Sequence, residues 1–162
     1  EVEIEENVEI QLPVEAFIPA FYITESDDKI SVYQKLAGSE SEAILSEFEA
    51  DLREEYGEMP RQVQTLFAVL RLKLACRRAG VIRVKAEEQG KNEREILMTL
   101  SARVTAKEIM QLLSHNSQWK ISGNTLRIPE SILHSKAKGD GYLSELTKEV
   151  ALLQKAKKKE SA

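Results

Sequence analysis

Two helix patterns separated by a short corner constrain residues 40–80 more tightly than any other part of this 162-residue chain. Gly57 stands where a glycine commonly ends a helix, and Pro60 suits the first turn of the next helix, where its missing N–H costs nothing. Gly80 is placed to end that second helix in the same way. The apolar residues of the two helices recur at helical spacing: Ile44, Leu45, Phe48, Leu52 and Tyr56, then Val63, Leu66, Phe67, Leu70 and Leu74.

A shorter helix is predicted before this corner. Ser26 or Asp27 can cap its start, and Gly38 can end it in a left-handed conformation. Ser39 and Glu42 have the spacing of a capping box, which predicts that Ser39 caps the following helix. The apolar face of the shorter helix is predicted to consist of Ile30, Tyr33 and Leu36.

The second half of the chain reads as a mixture of strands and helices. Residues 80–88 and 94–100 have the composition of strands, joined by a turn around Gly90, Lys91 and Asn92. Residues 119–128 predict a hairpin that turns at Gly123 and Asn124. Thr105 with Glu108 forms a second capping box, and a last helix is predicted over residues 141–158 with Leu143, Leu146, Val150 and Leu153 on one face.

The first residues alternate apolar and polar side chains, which predicts a half-buried or edge strand that ends at Pro13 and Pro19. The alternating apolar residues are Val2, Ile4, Val8, Ile10 and Leu12. We therefore expect residues 1–24 to form an extended lead-in or linker, residues 25–158 a single C-terminal domain, and residues 159–162 a frayed tail. The fold class is α/β of the α+β type. A helical N-terminal half precedes a small mixed or antiparallel sheet, with packed helices and a C-terminal helix.

Charge is divided unevenly along the chain. Residues 1–60 hold 17 acidic and three basic residues, whereas residues 61–162 hold 10 acidic and 20 basic residues, so the net charge of −4 hides local charges of −14 and +10. Such runs are compatible with ordinary solvated helix faces, and equally with two electrostatic surfaces for different neighbours. No apolar run approaches the roughly 20 residues that span a bilayer, and no leader sequence is evident. We expect a cytoplasmic protein without a membrane partner.

The sequence contains no recognisable motif for catalysis, phosphate binding or metal binding. His115 and His134 have no histidine or cysteine at ligand spacing, which favours structural or exposed histidines. Cys76 is the single cysteine; it is either a thiolate at a basic helix end or a small buried hydrophobe. Glu54 and Glu55 point about 100° apart on a helix and do not form a catalytic dyad. We predict no catalytic, cofactor-binding or metal-binding residue.

Three stretches resemble one bacterial family in their order and spacing. They are NVEIQLPVEAFIPAFYI, ISVYQKLA and DLREEYGEMPRQVQTLFAVLRLKLACRRAGVIRV. Together they resemble the C-terminal domain of transcription-repair coupling factor, in which a D-L-P-x-x-A-Y-I-P lead-in precedes a helix with R-x-x-x-Y-K-R. An acidic helix end, [FY]-G-x-x-P and a leucine-rich helix follow there. The resemblance covers most of residues 7–85.

The resemblance implies a non-catalytic autoinhibitory domain of a much longer chain. In the family, that chain recognises RNA polymerase stalled at DNA damage and moves it with a superfamily-2 DNA translocase that uses ATP and Mg. The C-terminal domain docks on an N-terminal repair-recruiting module of the same chain, masks the site for the excision-repair A subunit and restrains the motor. The resemblance implies no cofactor in these 162 residues.

The corner residues are the candidates for this contact. The family pattern there is approximately E-L-x-D-R-F-G-x-x-P, and this chain has Asp51, Glu54 and Glu55 at its three charged positions. Asp51 and Glu54 keep the acidic character, whereas Glu55 replaces the usual arginine. The resemblance implies that these positions contribute to the contact, where carboxylates can pair with arginines of the partner; the change at Glu55 leaves open whether one charge pairing is kept. The simpler interpretation is a solvated helix end at a corner that only joins two helices.

A nucleic-acid-contacting accessory domain is the alternative, and an enzyme with an unrecognised site is a third possibility. A basic stripe for nucleic acid is predicted from Arg71, Arg77, Arg78, Arg83 and Lys85. Aromatic residues for base stacking are not interleaved with these cations, and the sequence pI of 5.4 also disfavours this interpretation.

Overall fold

The computed structural model describes residues 7–91, 93–136 and 141–160 of the chain. It divides into two compact units, which we call the helical unit (Val14–Leu74) and the sheet unit (Glu1–Pro13 with Ala75–Ala162). The described residues form, in chain order, β1 (Glu9–Gln11), α1 (Ser26–Ala37), α2 (Glu42–Tyr56), α3 (Arg61–Ala79), β2 (Val81–Glu88), β3 (Arg94–Leu100), α4 (Ala106–His115), β4 (Lys120–Ser122), β5 (Thr125–Pro129), α5 (Glu130–Lys136) and α6 (Tyr142–Glu160).

The helical unit is built on the two predicted apolar stripes, which converge on one buried cluster. Its largest fully buried side chains include Ile23, Leu45 and Phe67, from the lead-in and from α2 and α3. The predicted corner is confirmed: Gly57 has φ 88°, and the Pro60 carbonyl accepts hydrogen bonds from the N–H groups of Val63 and Gln64. The cluster consists of Ile18, Tyr22, Ile23, Leu36, Leu45, Leu52, Met59, Val63, Phe67 and Leu74.

Gly38 ends α1 as predicted, but the left-handed conformation predicted for it and the predicted N-caps of α1 and α2 are wrong. Glu25, with no side-chain capping bond, precedes α1, and Gly38 has φ −85°, outside the left-handed region. Ser39 extends the end of α1, because its Oγ donates to the Lys35 carbonyl at 3.0 Å. The cap of α2 is therefore Ser41, whose Oγ accepts from the N–H of Ile44 at 3.2 Å.

The predicted apolar face of α1 is also partly wrong. Ile30 is 55% exposed, whereas Leu36 is buried and Tyr33 packs at the margin of the core. Val32, which the prediction omitted, is partly buried and packs against the core instead. Hydrophobic spacing alone does not show which side of a short helix faces the core. Ile30 and Val32 are two residues apart and therefore point to nearly opposite sides of the helix.

The sheet unit contains one five-stranded sheet with the order β1-β2-β3-β5-β4. β1 pairs parallel to β2, and the other neighbours are antiparallel, so the sheet is mixed. β1 lies at an edge and buries only its middle residue partially, as the alternating pattern predicts for residues 9–11. Val2 and Ile4 lie outside the described residues. The α+β fold class is confirmed.

Most predicted elements of the second half are confirmed. The strands β2 and β3, the hairpin at Gly123 and the Thr105 cap are present, the cap with a 3.2 Å hydrogen bond from the Glu108 N–H. The four predicted apolar residues of α6 are all buried. The sequence reasoning missed α5, whose seven residues are too few to show a clear helical period. The predicted domain boundaries at residues 24 and 158 stay a prediction. Each helix in the described part of the chain is too short or too polar to cross a bilayer.

Gly80 ends α3 in a conformation that side chains resist. It has φ 92°, and an added Cβ would lie 2.9 Å from Val104 Cγ2 and 3.1 Å from Ser101 Oγ. Gly90 also has a positive φ, 74°, but a Cβ there would meet nothing within 4 Å. Substituting each glycine by alanine therefore distinguishes the effect of crowding from the effect of backbone strain.

We expect Gly80→Ala to lower the free energy of unfolding by about 1–3 kcal/mol more than Gly90→Ala, because only the first substitution overpacks its surroundings. Urea unfolding of both variants followed by circular dichroism measures the difference. Equal losses for the two variants would show that the loop around Ser101 and Val104 yields without cost.

Candidate functional site

A groove in the helical unit lies between α1 and α2 and has a volume of about 420 Å³. Its floor is apolar: Leu36 and Leu52 are buried, and Val32 and Phe48 are partly buried. The remaining lining residues carry charge, namely Lys35 from α1 and Asp51, Glu54 and Glu55 from α2. The structure thus brings the three acidic residues predicted from the corner into one groove.

The helix α2 places Asp51 and Glu55 by its periodicity. Phe48, Asp51, Leu52 and Glu55 recur at intervals of three and four residues, so they share one side of the helix. Leu45, two turns before Leu52 on the same helix, is fully buried in the core. The groove therefore occupies the boundary between the buried stripe of α2 and its solvent side.

A different flank of α2 uses its acids inside the helical unit. Glu49, only 13% exposed, forms ion pairs with Arg71 of α3 and, at 3.6 Å, with Arg53. Arg71 also lies 3.6 Å from Glu42 and within hydrogen-bond distance of Ser46. These contacts join α2 to α3 and neutralise the carboxylates on that flank.

The acids of the groove are not neutralised in this way. Within the described residues, Asp51 and Glu54 form no ion pair with a basic side chain, and neither does Lys35. Glu55 interacts with its neighbour Tyr56, whose pKa is raised first by burial and then by the Glu55 carboxylate. The groove therefore presents three carboxylates and one ammonium group above an apolar floor, a net formal charge of −2.

Tyr22 holds the end of α2 that carries Glu54 and Glu55. Its hydroxyl donates to the Gly57 carbonyl at 2.8 Å and lies 3.2 Å from the Leu52 carbonyl, so it ties both ends of the last turn. Its ring packs against Tyr56 with centroids 5.8 Å apart. Gly57 directs its carbonyl to Tyr22 with φ 88° and ψ −166°, a combination essentially restricted to glycine.

Burial raises the pKa of the Tyr22 phenol above its ordinary value of 10.0. Arg53 opposes the shift, whereas Glu58 and Tyr56 add to it. The folded protein therefore keeps this hydroxyl protonated, and able to donate to Gly57, at a pH where the unfolded chain already ionises. The stability that it contributes is fully present below about pH 10 and is lost as the pH rises through the folded pKa.

The five residues of the predicted basic stripe lie in different settings. Arg71, in the helical unit, pairs with Glu49; in the sheet unit, Arg83 pairs with Glu9 at 3.2 Å and Lys85 with Glu87 at 3.5 Å. Arg77 and Arg78 lie in the last turn of α3, where the Arg77 carbonyl accepts from Arg103. At least three of the five cations thus have carboxylate partners among the described residues, and the nucleic-acid alternative stays a prediction.

Cys76 is a buried hydrophobe of the sheet unit, so the thiolate alternative is wrong. It is fully buried, and burial raises the pKa of its thiol from 9.0 to about 12. Among the described residues, no three His, Cys, Asp or Glu side chains are grouped to hold a metal ion. The side chain of His134 lies outside the described part.

A second cavity, of about 610 Å³, lies in the sheet unit beside the start of α5. Its Arg94 contacts Glu130 at 2.8 Å, and Glu95 contacts Arg127 at 3.0 Å. These pairs neutralise much of its charge, and sequence reasoning missed them. It also missed Val32 and Lys35 of the first groove, which a correct prediction of the buried face of α1 would have identified.

Removal of the Tyr22 hydroxyl is expected to loosen the corner. Tyr22→Phe should lower the free energy of unfolding by about 0.5–1.5 kcal/mol at neutral pH, since a buried hydrogen bond to a carbonyl is lost. The variant should also lose less stability than the wild type between pH 9 and 11, because one shifted phenol is absent. Urea unfolding across this pH range tests both effects. An unchanged alkaline loss would assign the pH dependence to other groups.

Cys76 is expected to resist alkylation in the folded chain. At pH 8 almost none of a thiol with a pKa of about 12 is ionised, and the side chain is covered. Iodoacetamide labelling followed by mass spectrometry should show slow modification of the native chain and rapid modification in guanidinium chloride. Rapid labelling of the native chain would mean that the end of α3 opens readily.

Comparison with known proteins identifies relatives over much of the chain. The transcription-repair-coupling factor of Mycobacterium bovis is 35% identical over 80 residues, which are 49% of this chain and 6% of that protein. The Staphylococcus haemolyticus protein is 31% identical over 99 residues, 61% of this chain and 8% of that protein. This chain thus matches less than a tenth of the length of these curated relatives.

A solved structure has the same fold. It is the crystal structure of the C-terminal domain of transcription-repair coupling factor, with a TM-score of 0.76 and 19% sequence identity. The similarity covers 96% of this chain and 98% of that chain. The TRCF domain family, finally, matches residues 12–109, which include the second half of the lead-in, the corner and the groove. Because this match covers more than half of its residues, the chain belongs to the TRCF domain family.

Proposed function

We propose that this chain is a non-catalytic autoinhibitory domain of a transcription-repair coupling factor. It docks through the groove between α1 and α2 onto the N-terminal repair-recruiting module of its parent chain. Docking masks the site for the excision-repair A subunit and restrains the DNA translocase until stalled RNA polymerase is bound. ATP and Mg are used by the parent's motor, which also contacts the DNA, and the complex acts in the cytoplasm.

One observation carries this proposal. Asp51, Glu54 and Glu55, the acids at the charged positions of the family's corner pattern, line a single groove. The acids on the other flank of the same helix are neutralised by Arg71 and Arg53 within the unit. Carboxylates that form no ion pair with a described basic side chain, beside buried Leu36 and Leu52, suit a surface that arginines and an apolar side chain of another module can cover.

The expected contact is weak enough to release. An exposed ion pair contributes about 0.2–1 kcal/mol, so a few such pairs around a small apolar floor give reversible binding. The linkage within one chain compensates, because it raises the effective concentration of the two modules. Because polymerase must reverse the docking, several weak contacts suit it better than one strong contact. Each weak contact can then break at a small cost in free energy.

Charge reversal at the groove is expected to weaken docking. In a calorimetric titration with the parent's N-terminal module, Asp51→Lys/Glu54→Lys should raise the Kd about tenfold or more, because each reversal removes an attraction and adds a repulsion. Glu47→Lys/Glu88→Lys is the matched control: both residues are exposed and outside the groove, and the change in net charge is the same. The control should change the Kd less than threefold.

The intact parent provides a second readout, because docking there does not depend on binding in trans. Asp51→Lys/Glu54→Lys should raise its ATPase rate in the absence of polymerase, whereas the control pair should not. Equal effects of the two variants on the Kd would remove the groove from the contact. Absence of binding in trans together with an unchanged ATPase rate would contradict autoinhibition through this surface.

A further inference from the structure

Lys35 stands apart from the other charges of the groove. Among the described residues that line it, Lys35 is the only cation, and it comes from α1 whereas the three carboxylates come from α2. Its side chain is exposed and forms no ion pair with a described carboxylate, although three carboxylates line the same space. A partner that covers the groove therefore covers an ammonium group that is not paired with any carboxylate in the described part of the chain.

Covering Lys35 has an energetic consequence. An ammonium group removed from water without a partner is costly, so burial under a docked surface requires a counter-charge. A purely cationic partner would supply none and would also be repelled. The groove is consequently not a simple acidic patch: its α2 side suits cations and its α1 side suits an anion.

We propose that Lys35 is a specificity-determining residue of the groove and binds a carboxylate of the docking partner. The partner surface then carries an Asp or Glu beside the basic residues that face Asp51, Glu54 and Glu55. Opposite charges on the two walls fix the orientation of the partner, because turning it around would place like charges together at both sides. This inference rests on the proposed docking function and adds the chemistry of the partner.

A charge reversal at Lys35 tests the inference by the sign of its effect. If the partner presents only cations, Lys35→Glu makes the groove more acidic and tightens binding. If a partner carboxylate faces Lys35, the same substitution weakens binding. We expect Lys35→Glu to raise the Kd for the parent's N-terminal module about threefold to tenfold relative to Lys29→Glu. Lys35→Arg should remain within about twofold of wild type, since the positive charge is kept.

Lys29→Glu is the matched control because Lys29 lies on the same helix, is only partly buried and does not line the groove. It carries the same change in net charge, so it reports the general electrostatic effect on binding. Lys35 is exposed, so its substitution should leave the fold intact, and amide spectra of the free variants verify this.

The outcomes separate the inference from the docking function. If Asp51→Lys/Glu54→Lys weakens binding but Lys35→Glu tightens it or equals Lys29→Glu, the groove docks its partner and the carboxylate assignment is overturned. If the wild-type chain does not bind in trans and none of the variants changes the ATPase rate of the intact parent, both proposals are overturned. If Lys35→Glu weakens binding more than Lys29→Glu does, the result supports a partner surface that carries both a carboxylate and basic residues.

Discussion

The backbone conformation at Gly57 is the constraint on which the groove depends. A residue with φ 88° and ψ −166° ends α2 abruptly and directs its carbonyl to the Tyr22 hydroxyl. The last turn of α2 is thereby held at both ends, and Glu54 and Glu55 lie within it. Asp51 lies just before this turn, next to Leu52. A corner that joins two helices and a surface with a defined charge pattern are, in this unit, produced by the same few contacts.

The two interpretations of the corner are therefore compatible. The core needs Gly57, Leu52 and the Tyr22 contact for its packing, whereas the groove uses the polar side of the same turn. The acidic excess of residues 1–60 is likewise not one feature. On α2 it divides into carboxylates that bind Arg71 and Arg53 and carboxylates that remain available, which a count of charges along the sequence does not separate.

Sequence patterns predicted the elements well and their faces less well. Gly57, Gly80 and Thr105 have local signals, because glycine conformation and side-chain capping are decided within a few residues. The cap of α2 is Ser41 and not the predicted Ser39, because the Ser39 hydroxyl donates to a carbonyl at the end of α1. The contribution of Lys35 to the groove depends on how α1 rotates onto the core, and that rotation is a property of packing between helices. The pairing of Arg71 with Glu49 is equally invisible in a linear pattern.

The strand order has a consequence for how the chain acquires its structure. β1 precedes the helical unit and β2 follows it, yet the two are neighbours in one sheet, with Ile10 paired to Val84. A chain made from its N-terminus releases β1 long before its partner exists, while every residue of the helical unit is already available. The helical unit can thus fold before β1 and β2 pair with each other. β1 therefore has no β2 to pair with until the whole helical unit has been synthesised.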